Sequence, residues 1–253
     1  MSEADVALAL PLLTIDRGNS TLDCALHGAG EPRRVRLAPD DLQGLVGFLA
    51  GSRPAAAVGL STVPSGLDGV RRVLAGMGVR LLEAGRDLPC PLPTAYADPA
   101  ALGVDRWVAG VAAHRLHRAG LFVDCGTALT VNALGAGGEF LGGAIAPGLG
   151  TMAAGLQARA PALPRADPSR SLRLPATDPS GAVDAGVTLG FCGAVERLVA
   201  EVEAAAGVTG TPRLLTGGDA EAYLRHGRLA FQHVPDLVHQ GLRCLAETRA
   251  PAS

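Results

Sequence analysis

Three glycine-containing turns follow short apolar runs, and they carry the side-chain types that handle phosphate. They are Asp16–Ser20 (DRGNS), Asp124–Ala128 (DCGTA) and Thr216–Gly218 (TGG). Glycine lets backbone N–H groups approach an anion closely, and an adjacent carboxylate can orient a metal ion. Each turn alone is equally typical of a hairpin that uses Asp and Gly for turn geometry. Together they predict a cleft that holds a nucleoside triphosphate and its metal without a lysine.

A second set of candidate residues is Gly103–Arg106 (GVDR), which comes directly before a helical pattern. Asp105 could cap the helix, because Asp is a favoured N-cap residue. It could also take a proton from an attacking hydroxyl, while Arg106 grips a carboxylate of the substrate with two parallel hydrogen bonds. The motif by itself leaves both interpretations open.

The composition excludes several classes of chemistry. All 22 basic residues are arginine, so a Schiff-base lysine, a Walker P-loop and a kinase with a strand lysine are ruled out. A net charge of -2 and an aromatic content of 3% provide neither the basic patch nor the stacking surface typical of nucleic-acid binding. We therefore expect no nucleic-acid partner.

The cysteines and the N-terminus favour a cytoplasmic protein. The five cysteines are widely spaced and form no C-x-x-C pair, which predicts neither a disulfide framework nor a zinc site. The first residues are acidic, unlike a signal peptide. The long uncharged stretch from 140 to 158 is rich in glycine, which is typical of a backbone-rich loop rather than a membrane span. We expect no membrane partner.

A repeated hairpin organises the chain. An offset of 108 residues aligns Leu13 with Leu121, Asp16 with Asp124 and Gly18 with Gly126. The same offset aligns Ala25 with Ala133 and Leu26 with Leu134. Two copies of one unit explain this pattern. The predicted organisation is an extension over residues 1–11, a first lobe over 12–117 and a second lobe over 118–249.

Apolar periodicity predicts the elements around the two hairpins. The first copy reads as two strands, a helix from Leu42 and a strand that ends near Leu60. A helix follows Asp105, another runs from Ala182 to Val202, and a last one lies around 237–245. The fold class is therefore α/β.

The order of these motifs resembles that of the type III pantothenate kinases over nearly the whole chain. The specific features are the DRGNS and DCGTA turns, LGVDR, and the segment Glu139–Gly148 (EFLGGAIAPG). The matching continues in Gly186–Gly193, the TGG turn and Pro235–Val238. The resemblance implies a duplicated actin-like, ribonuclease H-like fold of two lobes with a mixed sheet in each.

The resemblance also implies an activity, the ATP-dependent phosphorylation of pantothenate, and roles for individual residues. Asp105 is expected to be the general base, and Asp124 the ligand of a monovalent cation, K⁺ or NH₄⁺, while Mg²⁺ accompanies ATP. The expected substrate-binding residues are Tyr96, Gly103, Val104, Asp105, Arg106 and Thr177. The expected ATP-binding residues are Asp16, Arg17, Gly18, Asn19, Ser20, Thr21, Leu22, Asp23 and Thr127. A homodimer is the expected assembly.

Four positions depart from the family pattern. Ser20 replaces a usual Thr, and Asp23 lies where many relatives carry Lys or Arg. Asn132 replaces a frequent Asp, and Ala176 a frequent Asn. Two alternatives remain open: a regulatory homologue without catalysis, and a kinase of the same fold that acts on another small substrate. The intact Tyr96, Asp105 and Arg106 favour a small alcohol that bears a carboxylate.

Overall fold

A computed structural model of the chain describes residues 10–248. Nearly all of the predicted N-terminal extension, residues 1–11, lies outside the described residues. The chain divides into two compact units: residues up to Arg115 together with those from Leu237 form the first, and Leu116–Asp236 form the second. Each unit contains one five-stranded sheet.

The helices and strands follow one another along the chain as α/β units. In order they are β1 (Leu12–Arg17), β2 (Leu22–His27), β3 (Arg33–Leu37), α1 (Leu42–Leu49), β4 (Ala56–Ser61), α2 (Asp68–Gly76), β5 (Leu81–Glu83), α3 (Val104–His117), β6 (Gly120–Cys125), β7 (Ala128–Leu134), β8 (Phe140–Pro147), α4 (Leu149–Arg159), α5 (Pro179–Ala206), β9 (Arg213–Thr216), α6 (Ala220–His226), β10 (Gln232–His233) and α7 (Leu237–Glu247). None of the helices in the described part of the chain is long and apolar enough to span a bilayer.

The sheet of the first unit has the strand order β3-β2-β1-β4-β5, with β1, β2 and β3 antiparallel and β4 and β5 parallel to β1. Because side chains alternate along a strand, Leu13 and Ile15 of β1 point into the core with α1 and α2. Thr14 and Asp16 therefore lie on the other face, where α7 packs against β1 and β4. This alternation places polar side chains under α7.

The sheet of the second unit repeats this topology, with the order β10-β9-β6-β7-β8 and the same parallel and antiparallel pairs. Its core lies between the sheet and the long α5, which contributes Val187, Phe191, Val195 and Val199. A left-handed Gly207 ends α5, as is common for helix C-termini. The duplication predicted from the sequence, and the α/β fold class with it, are confirmed.

The pairing registers correct one detail of the predicted repeat. Asp16 pairs with Asp23 in the first hairpin, whereas Asp124 pairs with Thr130 in the second, so the second turn is one residue shorter. The offset of 108 therefore holds for β1 and β6 but becomes 107 for β2 and β7. As a result Ala133 is equivalent to Leu26 and Asn132 to Ala25, so the predicted matches of Leu26 with Leu134 and of Ala25 with Ala133 are both wrong. A one-residue slip matters, because it moves every side chain to the opposite face.

The glycine-rich stretch from 140 to 158 is not a loop but β8 followed by α4. Its glycines serve the strand: Gly142 has a φ of +119° beside a register shift, and a side chain at Gly143 would overlap the Val131 carbonyl of β7. The final helix α7, which the sequence predicts as part of the lobe 118–249, packs against β1 and β4 of the first unit.

Candidate active site

The first hairpin is predicted to bind ATP, and the tip of its turn is exposed. Gly18 donates its N–H to the Thr21 carbonyl at 3.0 Å, which closes the turn. Asn19 and Ser20 are exposed, whereas Leu22 is fully buried in the core, so only the backbone of Leu22 can face a ligand. Asp16 and Asp23 are half-buried at the base of the turn.

Arg17 has a buried guanidinium that is engaged within the first unit. It donates to Asp40 at 2.7 Å, to the Ser65 hydroxyl at 2.8 Å and to the Gly66 and Pro39 carbonyls at 3.2 and 3.3 Å. These hydrogen bonds tie the hairpin to two loops of its own unit. The side chain of Arg17 therefore positions the turn, and sequence reasoning did not reveal its partners.

The turn of the second hairpin is held by close backbone packing. A side chain at Gly148 would overlap the Gly126 carbonyl, and the Gly148 N–H donates to the Thr127 carbonyl at 3.1 Å. The Thr151 hydroxyl donates to the same carbonyl at 2.6 Å. The N-terminus of α4 is thus pressed against the turn that contains Thr127, whose own side chain is exposed.

The third turn lies against the Asp124 carboxylate. Gly217 has a φ of +96°, and a side chain there would overlap Asp124 Oδ1 and the Cys125 carbonyl. The Asp219 N–H donates to the Cys125 carbonyl at 2.8 Å. Burial raises the pKa of the Asp219 carboxyl, and a hydrogen bond from the Gly150 N–H opposes this shift. Asp219 thereby links β6, α4 and the third turn, a role that the adjacent TGG motif could have suggested.

The groups around Asp124 are the oxygen donors that hard cations prefer. They comprise its half-buried carboxylate and the Cys125 carbonyl, both of which a Cβ at Gly217 would overlap. Within residues 10–248, no three His, Cys, Asp or Glu side chains gather as a metal site. One carboxylate with neutral oxygen ligands suits a singly charged cation. It suits a divalent ion held only by protein side chains less well.

The predicted substrate motif begins α3. Val104 is the first residue of the helix and Asp105 lies in its first turn, where a negative charge is favoured. A Cβ at Gly103 would lie 2.9 Å from Asp105 Oδ1, so glycine leaves room for the carboxylate to fold over the backbone. Asp105 is half-buried.

Arg106 and Tyr96 are brought together although ten positions separate them. Arg106 Nη1 donates to the Tyr96 hydroxyl at 2.7 Å, and its guanidinium carbon lies 5.8 Å from the centre of the Tyr96 ring. Because Arg106 is only 7% exposed, the ring and the hydroxyl hold the guanidinium in one orientation. A fixed guanidinium on the residue that follows Asp105 is suited to a substrate that carries both an acid and a hydroxyl group.

The predicted residues fall into one group in each unit. Asp16–Asp23, Tyr96 and Gly103–Arg106 belong to the first, while Asp124, Thr127 and Thr177 belong to the second. Thr177 is exposed and precedes Asp178, whose carboxylate accepts the Gly181 N–H at 3.0 Å and caps α5. The α5 N-terminus therefore fixes the backbone next to Thr177.

The duplicated sheets, with an acidic glycine turn at the end of each first strand, define an actin-like kinase fold. Two solved structures show the same fold. One is a Campylobacter jejuni protein assigned to the Baf family of transcriptional activators, with a TM-score of 0.63, 18% identity and coverage of 93% of this chain and 98% of that one. The other is a Sinorhizobium meliloti protein described as a 2-dehydro-3-deoxygalactonokinase, with a TM-score of 0.51, 14% identity and coverage of 95% and 100%.

The chain belongs to the type III pantothenate kinase family, whose sequence profile matches residues 12–201. Type III pantothenate kinases from Parafrankia sp. and Saccharopolyspora erythraea are 31% and 33% identical, over 93% and 92% of this chain and 97% and 96% of theirs. One from Janthinobacterium sp. is 38% identical over 62% of this chain, a match that spans 61% of that relative. The family resemblance read from the motifs is confirmed.

Proposed function

We propose that the chain transfers the γ-phosphoryl group of ATP to the hydroxyl of pantothenate, the first step of coenzyme A biosynthesis. The observation that carries the proposal is the hydrogen bond that fixes Arg106 against Tyr96, directly after Asp105 in the sequence, on a chain of this family. Arg106 binds the pantothenate carboxylate, and Asp105 accepts a hydrogen bond from the attacking hydroxyl. In a loose transition state the proton leaves late, so Asp105 chiefly orients the nucleophile.

ATP is proposed to bind the first hairpin, Asp16 to Asp23, and Thr127 of the second. The exposed tip of the turn, Asn19 and Ser20, would present its backbone N–H groups to phosphate oxygens. Mg²⁺ would neutralise charge on the phosphates, which is the chemistry that a metal supplies in phosphoryl transfer. Asp124 is proposed to hold K⁺ or NH₄⁺ with the neighbouring carbonyl oxygens. Gly103, Val104 and Thr177 are proposed to complete the pantothenate pocket.

A homodimer is proposed on the basis of an apolar surface of the second unit. A groove of about 460 Å³ lies between α4 and α5, and its lining is almost wholly apolar. Leu156 and Leu163 border it and are 36% and 38% exposed. Exposed apolar surface of this kind is typical of subunit contacts. A cytoplasmic location is proposed from the use of ATP and from the five free thiols.

The function is tested by measuring ADP release with ATP and pantothenate, in sodium alone and with potassium or ammonium added. We expect pantothenate-dependent turnover that requires potassium or ammonium. Turnover with sodium alone would remove the cation role of Asp124 but keep the kinase. A folded protein without any turnover would favour the regulatory alternative, and turnover with another small alcohol instead of pantothenate would favour the second one.

Asp105→Asn tests the catalytic assignment. The amide cannot accept the proton, so turnover should fall by about 10²–10⁴ while ATP binding stays intact. Arg106→Ala serves as the matched variant: it should raise the KM for pantothenate much more than the KM for ATP. Near-normal turnover of Asp105→Asn, or equal changes of both KM values in Arg106→Ala, would contradict the proposal.

A further inference from the structure

Under α7, five polar side chains of the first unit form a continuous series that we call the α7 polar chain: His27, Thr14, His239, Asp23 and Arg36. Thr14 Oγ1 lies 2.8 Å from His27 Nε2 and 2.8 Å from His239 Nδ1. His239 Nε2 lies 3.5 Å from Asp23 Oδ1. Arg36 donates from Nε and Nη2 to Asp23 Oδ2 at 2.9 and 2.8 Å. The chain thus connects helix α7 to strands β1, β2 and β3.

Because much of the α7 polar chain is buried, the positions of its protons affect stability. Thr14 is fully buried, and His27 and His239 are each 5% exposed, so an unmade hydrogen bond there costs free energy. The Thr14 hydroxyl has one proton to donate, and two acceptors lie within reach, His239 Nδ1 at 2.8 Å and the Ala25 carbonyl at 3.3 Å, of which His239 is the nearer. If His27 donates to Thr14 and Thr14 donates to His239 Nδ1, then His239 carries its proton on Nε2. That proton faces Asp23 Oδ1, which lies 3.5 Å from His239 Nε2.

Asp23 needs such a partner, because it pairs across the hairpin with Asp16. Like charges directly opposite each other on two strands repel and weaken the pairing. Burial opposes the ionisation of Asp23, but the hydrogen bonds from His239 and Arg36 outweigh it and lower the pKa of that carboxyl. Arg36 and His239 together therefore allow two carboxylates to share the base of one turn.

We propose that His239 is a positioning residue of the nucleotide site, which acts through Asp23 to fix the base of the turn at 18–21. His239 does not contact the nucleotide in this role. It lies 225 positions from Thr14 in the sequence, although the two side chains are in hydrogen-bond contact. The inference rests on the proposed function in that ATP is the ligand of this turn. Its consequence is that a helix near the C-terminus controls the geometry of a turn near the N-terminus.

The test is the calorimetric Kd for Mg²⁺-ATP, together with kcat and both KM values, in His239→Ala and His239→Gln. His239→Ala should weaken ATP binding about tenfold, since a hydrogen bond to a charged group is lost. The pantothenate KM and kcat should stay within about twofold. His239→Gln should bind ATP to within about threefold of the wild type, because its amide N–H can still reach Asp23.

Two controls separate positioning from a general structural effect. His233→Ala removes an exposed histidine of the second unit and should leave the ATP Kd unchanged. In the Asp23→Asn background, His239→Ala should weaken ATP binding by less than about a further twofold, because both substitutions break one contact. The Asp23→Asn and His239→Gln variants keep the test valid if His239→Ala does not fold.

Several outcomes would overturn the inference: equal rises of both KM values in His239→Ala, additive effects of the Asp23 and His239 substitutions, or a folded His239→Gln no better than His239→Ala. Wild-type protein that binds ATP but does not phosphorylate pantothenate would remove the proposed function alone, and the Kd comparisons would still decide the role of His239. Wild-type protein that does not bind ATP would overturn both.

Discussion

The hairpin of β1 and β2 is held by charged side chains, whereas its counterpart of β6 and β7 is held by backbone packing against glycines. Arg17 and Asp23 of the first hairpin make ion pairs with Asp40 and Arg36 at 2.7 and 2.8 Å. At the equivalent positions, the second hairpin has the neutral Cys125 and Thr130. Instead of ion pairs, the second hairpin has Gly148 and Gly217 packed against its turn, with no room for a Cβ at either glycine.

The difference shows that one topology can fix an acidic turn in two physical ways. Side-chain hydrogen bonds are directional, so they depend on particular polar groups. Close backbone approach depends only on the absence of a side chain. We therefore expect the first hairpin to be sensitive to changes of charge and the second to any enlargement of its glycines.

The largest expected effect is that of Gly148→Ala. Its Cβ would overlap the Gly126 carbonyl, so the turn or α4 must move, at a cost of about 3 kcal/mol or more. Urea unfolding and turnover measure the effect. The matched control is Gly150→Ala, two residues on in α4, where a Cβ meets nothing within 4 Å. Equal behaviour of the two variants would contradict glycine packing as the support of the second hairpin.

An intermediate effect is expected for Arg17→Ala. The variant loses four hydrogen bonds and leaves the Gly66 and Pro39 carbonyls without their donor, which should cost about 2 kcal/mol. It should also raise the KM for ATP, because the turn loses its anchor. Arg197→Ala is the control: it breaks an exposed helical ion pair at 2.7 Å and should cost under about 0.5 kcal/mol. Similar urea midpoints for both variants would show that charge does not hold the first hairpin.

The smallest expected effect concerns Asp219, a titratable group at the second hairpin. Burial raises the pKa of its carboxyl, so the folded state keeps the proton to a higher pH than the unfolded state does. Its contribution to stability is thus complete below the unfolded pKa of about 3.9 and is lost as the pH rises through the folded pKa. Asp219→Asn should remove this decline, a gain of under about 1 kcal/mol at pH 7 after allowance for its partial exposure.

Thermal unfolding of wild type and Asp219→Asn between pH 4 and 8 measures this difference. Asp167→Asn provides a control of opposite sign. Hydrogen bonds from Ser169 lower the pKa of Asp167, so its substitution should decrease stability near neutral pH instead. Parallel pH profiles of stability for wild type and Asp219→Asn would show that the Asp219 carboxyl does not cause the decline of stability with rising pH.

Much of this contrast could be read from the sequence, and part of it could not. The equivalence of Asp16 with Asp124 was visible because acidic glycine turns recur at one offset. Strand β3 was missed because its sequence, RRVRL, is charged, as is common for an edge strand. The glycine content of residues 140–158 predicts a loop, whereas in the structure these glycines serve a bulge and close strand contacts, which depend on the neighbouring strand.

The sequence by itself determined the family, the α/β duplication and the order of the candidate motifs, since these depend on residue types at short spacings. Only the tertiary structure decided which polar groups meet: Arg17 with Gly66, Asp219 with the turn of β6, and His239 with Thr14 across 225 positions. The physical reason is that local periodicity sets which face of an element is buried. The partner that covers this face is selected by packing among all elements of the unit.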